Sequence, residues 1–428
     1  MKLEFMHPRE QLIYIMDRIY RGEMTTISGG NLSILDDNND MWITPAGIDK
    51  GKLRPADIIC VHPDGSMEGP HRPSSEYPFH RAIYTRRHDL RAIVHAHPPA
   101  IVAYSIVGQV PDTNIIPQAN QICGPIGMAP YALPGSEELG ENIADTLAQG
   151  YNMVLLENHG LVAAGENLLA AFQRLETLDF CARTLINARR LGNYSTLTPA
   201  QLNLFVHRQH LLPEFILSKH SSHELELRQM MVDIVHRACD RRLMISTEGT
   251  ISTRVDENSF LITPTGADRR SLEADDIVMI RNGNRQAGKF PSRSVLLHEQ
   301  IYREHPELNC VMTAQCPNAV AYAVTSVEFD TKTIPESYIM LRDVPRFGFN
   351  TLYSQPEVIS NAISRKTPVL LIENDCVLTV GESIMQTFDR LEVLEYTAKS
   401  LLNAGQIGSF RPIGQEAIDA IVQKFLPG

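Results

Sequence analysis

The chain repeats itself, and nothing else in it restricts the fold as much. Residues 28–47, SGGNLSILDDNNDMWITPAG, match residues 247–266, TEGTISTRVDENSFLITPTG, at a shift of 247 − 28 = 219. Residues 157–192, ENHGLVAAGENLLAAFQRLETLDFCARTLINARRLG, match ENDCVLTVGESIMQTFDRLEVLEYTAKSLLNAGQIG from Glu373 at a shift of 216, and 14 of these 36 columns are identical. Chance similarity between two amphipathic helices does not reach that figure, so the chain is a tandem duplication. A length of 428 residues agrees, because single cores stop growing near 250 to 300 residues. The pattern breaks between about 205 and 222 before a new helix opens at Glu224, giving copies at 1–212 and 213–428.

Within each copy the apolar spacing predicts a helix, short strands, then helix, strand, helix, strand and a long last helix. MWITPAG, DIICVHPDG and RAIVHAHPP are short apolar runs closed by Gly, Pro or Asp, as strands are. Leu169, Phe172, Leu175, Leu178 and Ala182 recur at steps of three and four, which predicts a helix ending at Gly192. Each copy is therefore expected to be a layered α/β domain.

Composition excludes several function classes. Hydrophobic residues at 43% and charged residues at 21% are ordinary values for a folded, water-soluble chain. The net charge of -11 and the absence of basic clusters argue against nucleic acid as a partner. The N-terminal segment MKLEFMHPREQLIYIMDRIY reads as an amphipathic helix without the layout of an export signal, and no apolar run is long enough for a membrane span. Seven scattered cysteines read as reduced, buried thiols, which predicts a cytoplasmic protein.

One group of residues carries chemistry. His95 and His97 bracket Ala96 at the end of an apolar strand, where residues i and i+2 share a face and can chelate one ion. His159 follows another strand, and Glu76 opens the helix that precedes the histidine strand. Three imidazoles with an open fourth position suit a catalytic divalent metal, whereas closed structural sites are usually richer in thiolate. The second copy serves as an internal control. At the aligned positions Glu76 becomes Ser294, His95 becomes Thr313, His97 becomes Gln315 and His159 becomes Asp375, while Asn374, Gly381, Phe388 and Leu391 persist. Joint loss indicates that the four act as a unit. His80 is retained as His298 and is assigned to structure. Gly29-Gly30-Asn31, Thr44-Pro45-Ala46-Gly47 and Ser74-Ser75 form small polar turns, which suit either an anion such as phosphate or simple chain reversal.

The segments GGNLS, TPAG, PSSE, HAHP and ENHG, in that order across residues 20 to 190, make the first copy resemble the class II aldolase/adducin family of L-fuculose-1-phosphate aldolase and L-ribulose-5-phosphate 4-epimerase. The resemblance implies a central, mostly antiparallel sheet flanked by helices, here present twice. It implies one divalent ion per chain, zinc in the first instance, on His95, His97 and His159, with Glu76 as acid/base. It further implies that Gly30, Asn31, Thr44, Gly47, Ser74 and Ser75 bind the phosphate of a sugar substrate. The expected function is a lyase or epimerase working through a metal-stabilised enediolate. The aldolase's catalytic tyrosine has no counterpart in PQANQICGPIG, where Gln121 lies nearest its place, so epimerisation, dehydration and decarboxylation stand beside cleavage. The second copy resembles the fold stripped of chemistry, as in adducin, which makes a non-catalytic binding or scaffold protein the alternative. Family enzymes are fourfold assemblies, so a dimer of this chain is expected to imitate a tetramer.

Overall fold

The computed structural model describes residues 3–206 and 211–426, so residues 207–210 of the boundary segment lie outside it. Contacts group the residues up to Thr113 with Gln118–Ala182 as one compact unit, and Asn114–Pro117 with the residues from Arg183 onward as a second.

The first unit holds eight strands: β1 (Asn31–Leu35), β2 (Met41–Ile43), β3 (Ile59–Val61), β4 (Met67–Glu68), β5 (Ala92–Ala96), β6 (Ile126–Ala129), β7 (Met153–Leu156) and β8 (Leu161–Gly165). They form one sheet in the order β4-β3-β2-β1-β5-β8-β7-β6. Every neighbouring pair is antiparallel except β6 and β7. β5 is buried along its whole length, which matches its central position and its near-continuous apolar sequence.

One face of this sheet builds the core that carries the site. Ile43, Ile59, Ile93, Val154, Leu156 and Val162 pack there against Phe79 and Ile83 of helix Tyr77–Arg86 and against Leu139, Ile143 and Leu147 of helix Glu137–Ala148. Side chains alternate along a strand, so His95 shares the face of Ile93 and lies under the start of helix Tyr77–Arg86. That helix begins with a proline in its first turn, where the missing N–H costs no hydrogen bond, and Glu76 occupies its N-cap position.

The second unit holds β9 (Glu214–Phe215), β10 (Thr250–Asp256), β11 (Ser259–Ile262), β12 (Val278–Arg281), β13 (Asn284–Gln286), β14 (Cys310–Ala314), β15 (Arg346–Phe347), β16 (Val369–Ile372) and β17 (Val377–Gly381). Their order, β15-β16-β17-β14-β10-β11-β12-β13-β9, repeats that of the first sheet, with β9 added as a parallel edge strand beside β13. The expected α/β layering, a mostly antiparallel sheet flanked by helices and present twice, is what the structure shows. Among the described residues no helix is long and apolar enough to cross a membrane, and all seven cysteines are free.

Candidate active site

Three different pieces of chain deliver the three imidazoles. His95 lies on β5 directly opposite Asn31 of β1. His97 follows the strand by one residue, its N–H held by the Met24 carbonyl at 3.0 Å. His159 is carried round by the turn between β7 and β8, where Asn158 adopts φ +55°, a left-handed conformation that Asn tolerates well. The candidate ligand nitrogens of His95, His97 and His159 all lie within 4.8 Å of one another. Nε2 of His97 sits 3.0 Å from Nε2 of His95. Gly160 makes room for this approach, since a Cβ there would meet His97 Cδ2 at 2.5 Å. Its counterpart in the second copy, where Gln315 stands in place of His97, is Cys376.

The fourth member of the group closes one side. Glu76 is buried at 7% exposure, and its carboxylate turns away from its own helix, making no cap hydrogen bond. Oε2 lies 3.1 Å from His95 Nε2 and accepts a 2.7 Å hydrogen bond from Asn31 Nδ2. Oε1 makes no hydrogen bond and lies 3.6 Å from His159 Nε2. Burial opposes the anion, but the charge and hydrogen bond of His95, then His159 and Asn31, outweigh it and hold the carboxyl well below the usual range. Glu76 is therefore a carboxylate at neutral pH. Burial, and then the charge on His95, push His97 down to about 3 and His159 down to about 4, so both imidazoles are neutral and have a lone pair to offer.

The donor set fits a divalent cation. His95 Nδ1 lies 3.0 Å from the Leu161 carbonyl, which can only accept, so Nδ1 carries a proton and Nε2 points inward. Nε2 faces a carboxylate oxygen and a second imidazole nitrogen at hydrogen-bond distance, and although burial opposes it, the charge and hydrogen bond of Glu76 raise the His95 pKa, which favours a positive charge in that gap. A divalent cation can take the place of that proton, with Nε2 then offering its lone pair. The carbonyl-to-imidazole contact is the outer support that metal-bound histidines typically have.

A hydrogen-bonded chain runs inward from Glu76. Asn31 Oδ1 accepts from His80 Nε2 at 2.5 Å, Ser33 Oγ lies 2.7 Å from His80 Nδ1, and Tyr84 OH lies 2.8 Å from Ser33 Oγ. Because the Asn31 amide nitrogen is committed to Glu76, its oxygen must accept, which places the His80 proton on Nε2. His80 is fully buried and burial lowers its pKa to about 3, so it acts as a neutral donor. The sequence assigned His80 to structure alone, yet it orients the amide that holds Glu76. The available signal was HRAIY, with His80 and Tyr84 one helical turn apart on the face turned toward the sheet.

The small polar turns behave differently from the histidine cluster. Gly30 has φ +69°, and a Cβ there would lie 2.7 Å from the His95 carbonyl, so the chain needs glycine at that point. Asn31 is committed to Glu76 and His80. Thr44 Oγ1 accepts from Leu32 N at 3.1 Å, and Ser74 Oγ accepts from Glu76 N at 3.3 Å. Ser75 and Gly47 are exposed. Lys50 Nζ donates to the Pro45 carbonyl at 2.5 Å, and burial lowers its pKa to about 8. The second copy retains Thr263, Gly266 and Ser292 at the corresponding places, and Thr263 again ties to the adjoining strand. Turn building accounts for that retention without a ligand. Gln121 sits exposed on helix Pro117–Cys123.

In the second unit the same scaffold lacks the three imidazoles and the carboxylate. Ser252 Oγ still lies 2.7 Å from His298 Nδ1 and 2.6 Å from Tyr302 OH. Thr250 replaces Asn31 and bonds Ser292 at 2.7 Å instead, leaving His298 Nε2 buried without a hydrogen-bond partner.

Comparison with known proteins identifies the family of both halves. The family model described as "Class II Aldolase and Adducin N-terminal domain" matches twice, at residues 10–186 and 229–402. A 5-deoxy-D-ribulose 1-phosphate aldolase of Bacillus thuringiensis serovar kurstaki is 30% identical over 191 residues, 43% of this chain and 86% of that protein. A 3-oxo-tetronate 4-phosphate decarboxylase of Pectobacterium atrosepticum is 32% identical over 181 residues, 41% and 83% of the two chains. An L-fuculose phosphate aldolase of Methanocaldococcus jannaschii is 30% identical over 181 residues, 42% of this chain and 96% of that one. With a family match in each half and enzymes among its relatives, the chain is an enzyme of the class II aldolase and adducin family and carries the family's domain twice.

Proposed function

We propose that the first copy, residues 1–212, is a divalent-metal-dependent lyase or epimerase for a phosphorylated sugar or a related hydroxycarbonyl compound, and that the second, residues 213–428, is structural. The observation that carries this reading is the convergence of three imidazoles and one carboxylate in the first copy, all replaced together in the second. His95, His97 and His159 would hold one ion per chain, for which an all-nitrogen set favours zinc. When bound, the ion supplies the positive charge that stabilises an enediolate.

The protein's own groups do the rest. Glu76 is ionised, half tethered by Asn31, and free of hydrogen bonds at Oε1, so that oxygen takes and returns the substrate proton. Asn31 and His80 keep the carboxylate from swinging back to cap its own helix. Gly30, Asn31, Thr44, Gly47, Ser74 and Ser75 are the proposed phosphate-binding residues. Within that set Ser75 and Gly47 are exposed to an incoming ligand, while Asn31, Thr44 and Ser74 also hold the site together.

With Gln121 in the neighbourhood of the expected tyrosine, epimerisation, dehydration and decarboxylation remain beside aldol cleavage. The decarboxylase among the relatives is consistent with that breadth. We also propose a cytoplasmic enzyme, supported by seven free cysteines, that works as a dimer of the double-domain chain. Incubation with ketose phosphates and aldonate phosphates, read by mass spectrometry, tests the proposal. Glu76→Gln should lower kcat by roughly 10²- to 10⁴-fold while metal content is unchanged. Unchanged turnover in that variant would remove Glu76 from the mechanism, and absence of turnover across the panel would overturn the proposed substrate class.

A further inference from the structure

A second group of metal-ligating side chains lies on the opposite face of the first sheet. Met41, Ile43, Ile59 and Val61 point into the core beneath helix Tyr77–Arg86, so their alternating neighbours Asp40, Trp42, Cys60 and His62 point the other way. Cys60-Val61-His62 has the same i, i+2 spacing as His95-Ala96-His97. Asp40 immediately precedes β2, and β2 pairs with β3, bringing its carboxylate beside both residues. One ligand atom each from Asp40, Cys60 and His62 lies within 4.8 Å of the others.

The surroundings of this trio resemble those of a cation site. His62 Nδ1 lies 2.8 Å from Asp40 Oδ1. Its other nitrogen, Nε2, lies 3.3 Å from Glu68 Oε1 on β4, the carboxylate-on-imidazole arrangement that orients histidine ligands. Cys60 is buried, and burial, then Asp40, Glu68 and Asp36, push its thiol up to about 11, with Arg9 acting weakly in the opposite sense. Several anionic groups thus surround a thiol, with His62 between two of them. The second copy again changes the trio together: Asp40 becomes Ser259, Cys60 becomes Met279 and His62 becomes Arg281. Arginine brings a permanent positive charge to the place where the first copy has a titratable ligand.

We propose that Asp40, Cys60 and His62 form a second site, separate from the histidine cluster, for a thiophilic divalent cation of the zinc class. The mixed sulfur, nitrogen and oxygen set selects such an ion over magnesium or calcium. Binding exchanges the Cys60 thiol proton and the proton between His62 and Asp40 for the metal, with Glu68 keeping its contact to the far side of the ring. The site owes nothing to the reaction proposed above, because its sulfur ligand has no counterpart among His95, His97 and His159.

Cobalt(II) titration of the metal-free full-length protein tests it. A thiolate ligand gives cobalt an intense near-ultraviolet charge-transfer band that an all-histidine site cannot produce. Wild type should develop this band and bind one more equivalent of cobalt than Cys60→Ser. Cys60→Ser should lack the band and keep its turnover, while His97→Ala should retain the band. The triple variant Asp40→Ser, Cys60→Met, His62→Arg installs a combination that the second copy already accommodates, so it gives a folded control that should also lack the band. No band in the wild type, or one that survives Cys60→Ser, overturns the proposal and leaves His62 as an ion pair to Asp40 and Glu68.

Discussion

In the first unit Asn31 and His95 face each other across β1 and β5, and in the second Thr250 and Thr313 occupy the same paired positions across β10 and β14. Behind them both units keep a serine, a buried histidine and a tyrosine in the same hydrogen-bonded row. What differs is the outer end. In the first unit the row continues through Asn31 to Glu76 and the three imidazoles. In the second it stops at His298, whose Nε2 has no hydrogen-bond partner in the core. The fold is thus independent of the histidine cluster, and the buried row persists without it. That packing is satisfied without the cluster supports the proposal that it serves a ligand.

The comparison can be broken most forcefully at the ligands. The double variant His97→Ala, His159→Ala should lose its ion by elemental analysis and lose turnover by about 10³-fold or more, several kcal/mol of charge stabilisation at about 1.4 kcal/mol per decade. Since the second unit folds with Gln315 and Asp375 at these places, chemical denaturation of the metal-free variant should match that of the metal-free parent. A collapse of stability in the variant would mean that the cluster is structural after all.

A smaller and more discriminating effect comes from making one substitution in both units. His80→Phe deprives the buried Asn31 oxygen of its donor, whereas His298→Phe removes a ring whose Nε2 already lacks a partner. Both lose the serine contact, so the first should be the more destabilising by about 1–3 kcal/mol, measured by denaturant unfolding. Only His80→Phe should also lower kcat, with metal content unchanged. Equal costs at the two sites would show that the Asn31 contact contributes nothing.

The pH dependence sharpens the comparison further. Burial lowers both His80 and His298 from 6.5 to about 3, so the unfolded chain binds more protons than the folded one between those values. Each histidine therefore contributes stability that is present above pH 6.5 and is lost as pH falls toward 3. His298→Phe should flatten that acid limb in unfolding experiments. An unchanged slope would mean that His298 takes up its proton in the folded state.

How much of this was legible in the sequence follows from which features are local. The repeat, the alternation along β5 and the joint replacement of Glu76, His95, His97 and His159 are all visible as spacing and alignment. The role of Asn31 was not. Its place in a glycine-rich turn suggested an anion contact, and only the register of β1 against β5 shows that its amide faces Glu76. His80 was hidden for a related reason, because retention in the second copy records the serine and tyrosine contacts that survive and says nothing of the one that was lost. The Asp40, Cys60 and His62 trio draws on two neighbouring strands, and the pairing of β2 with β3 is a tertiary fact. The two-residue strands β4, β9 and β15 are too short to leave a periodic signal.

The central claim is that three imidazoles and a carboxylate in the first unit hold a divalent ion that the second unit cannot. Anomalous diffraction at the zinc edge, on crystals of the protein grown with zinc, measures this most directly. The account predicts a peak bonded to Nε2 of His95, with His97 and His159 completing the shell and Glu76 beside it, and no peak at Thr313, Gln315 and Asp375. Density for an ion at those last three residues, or none at the three histidines, would contradict it.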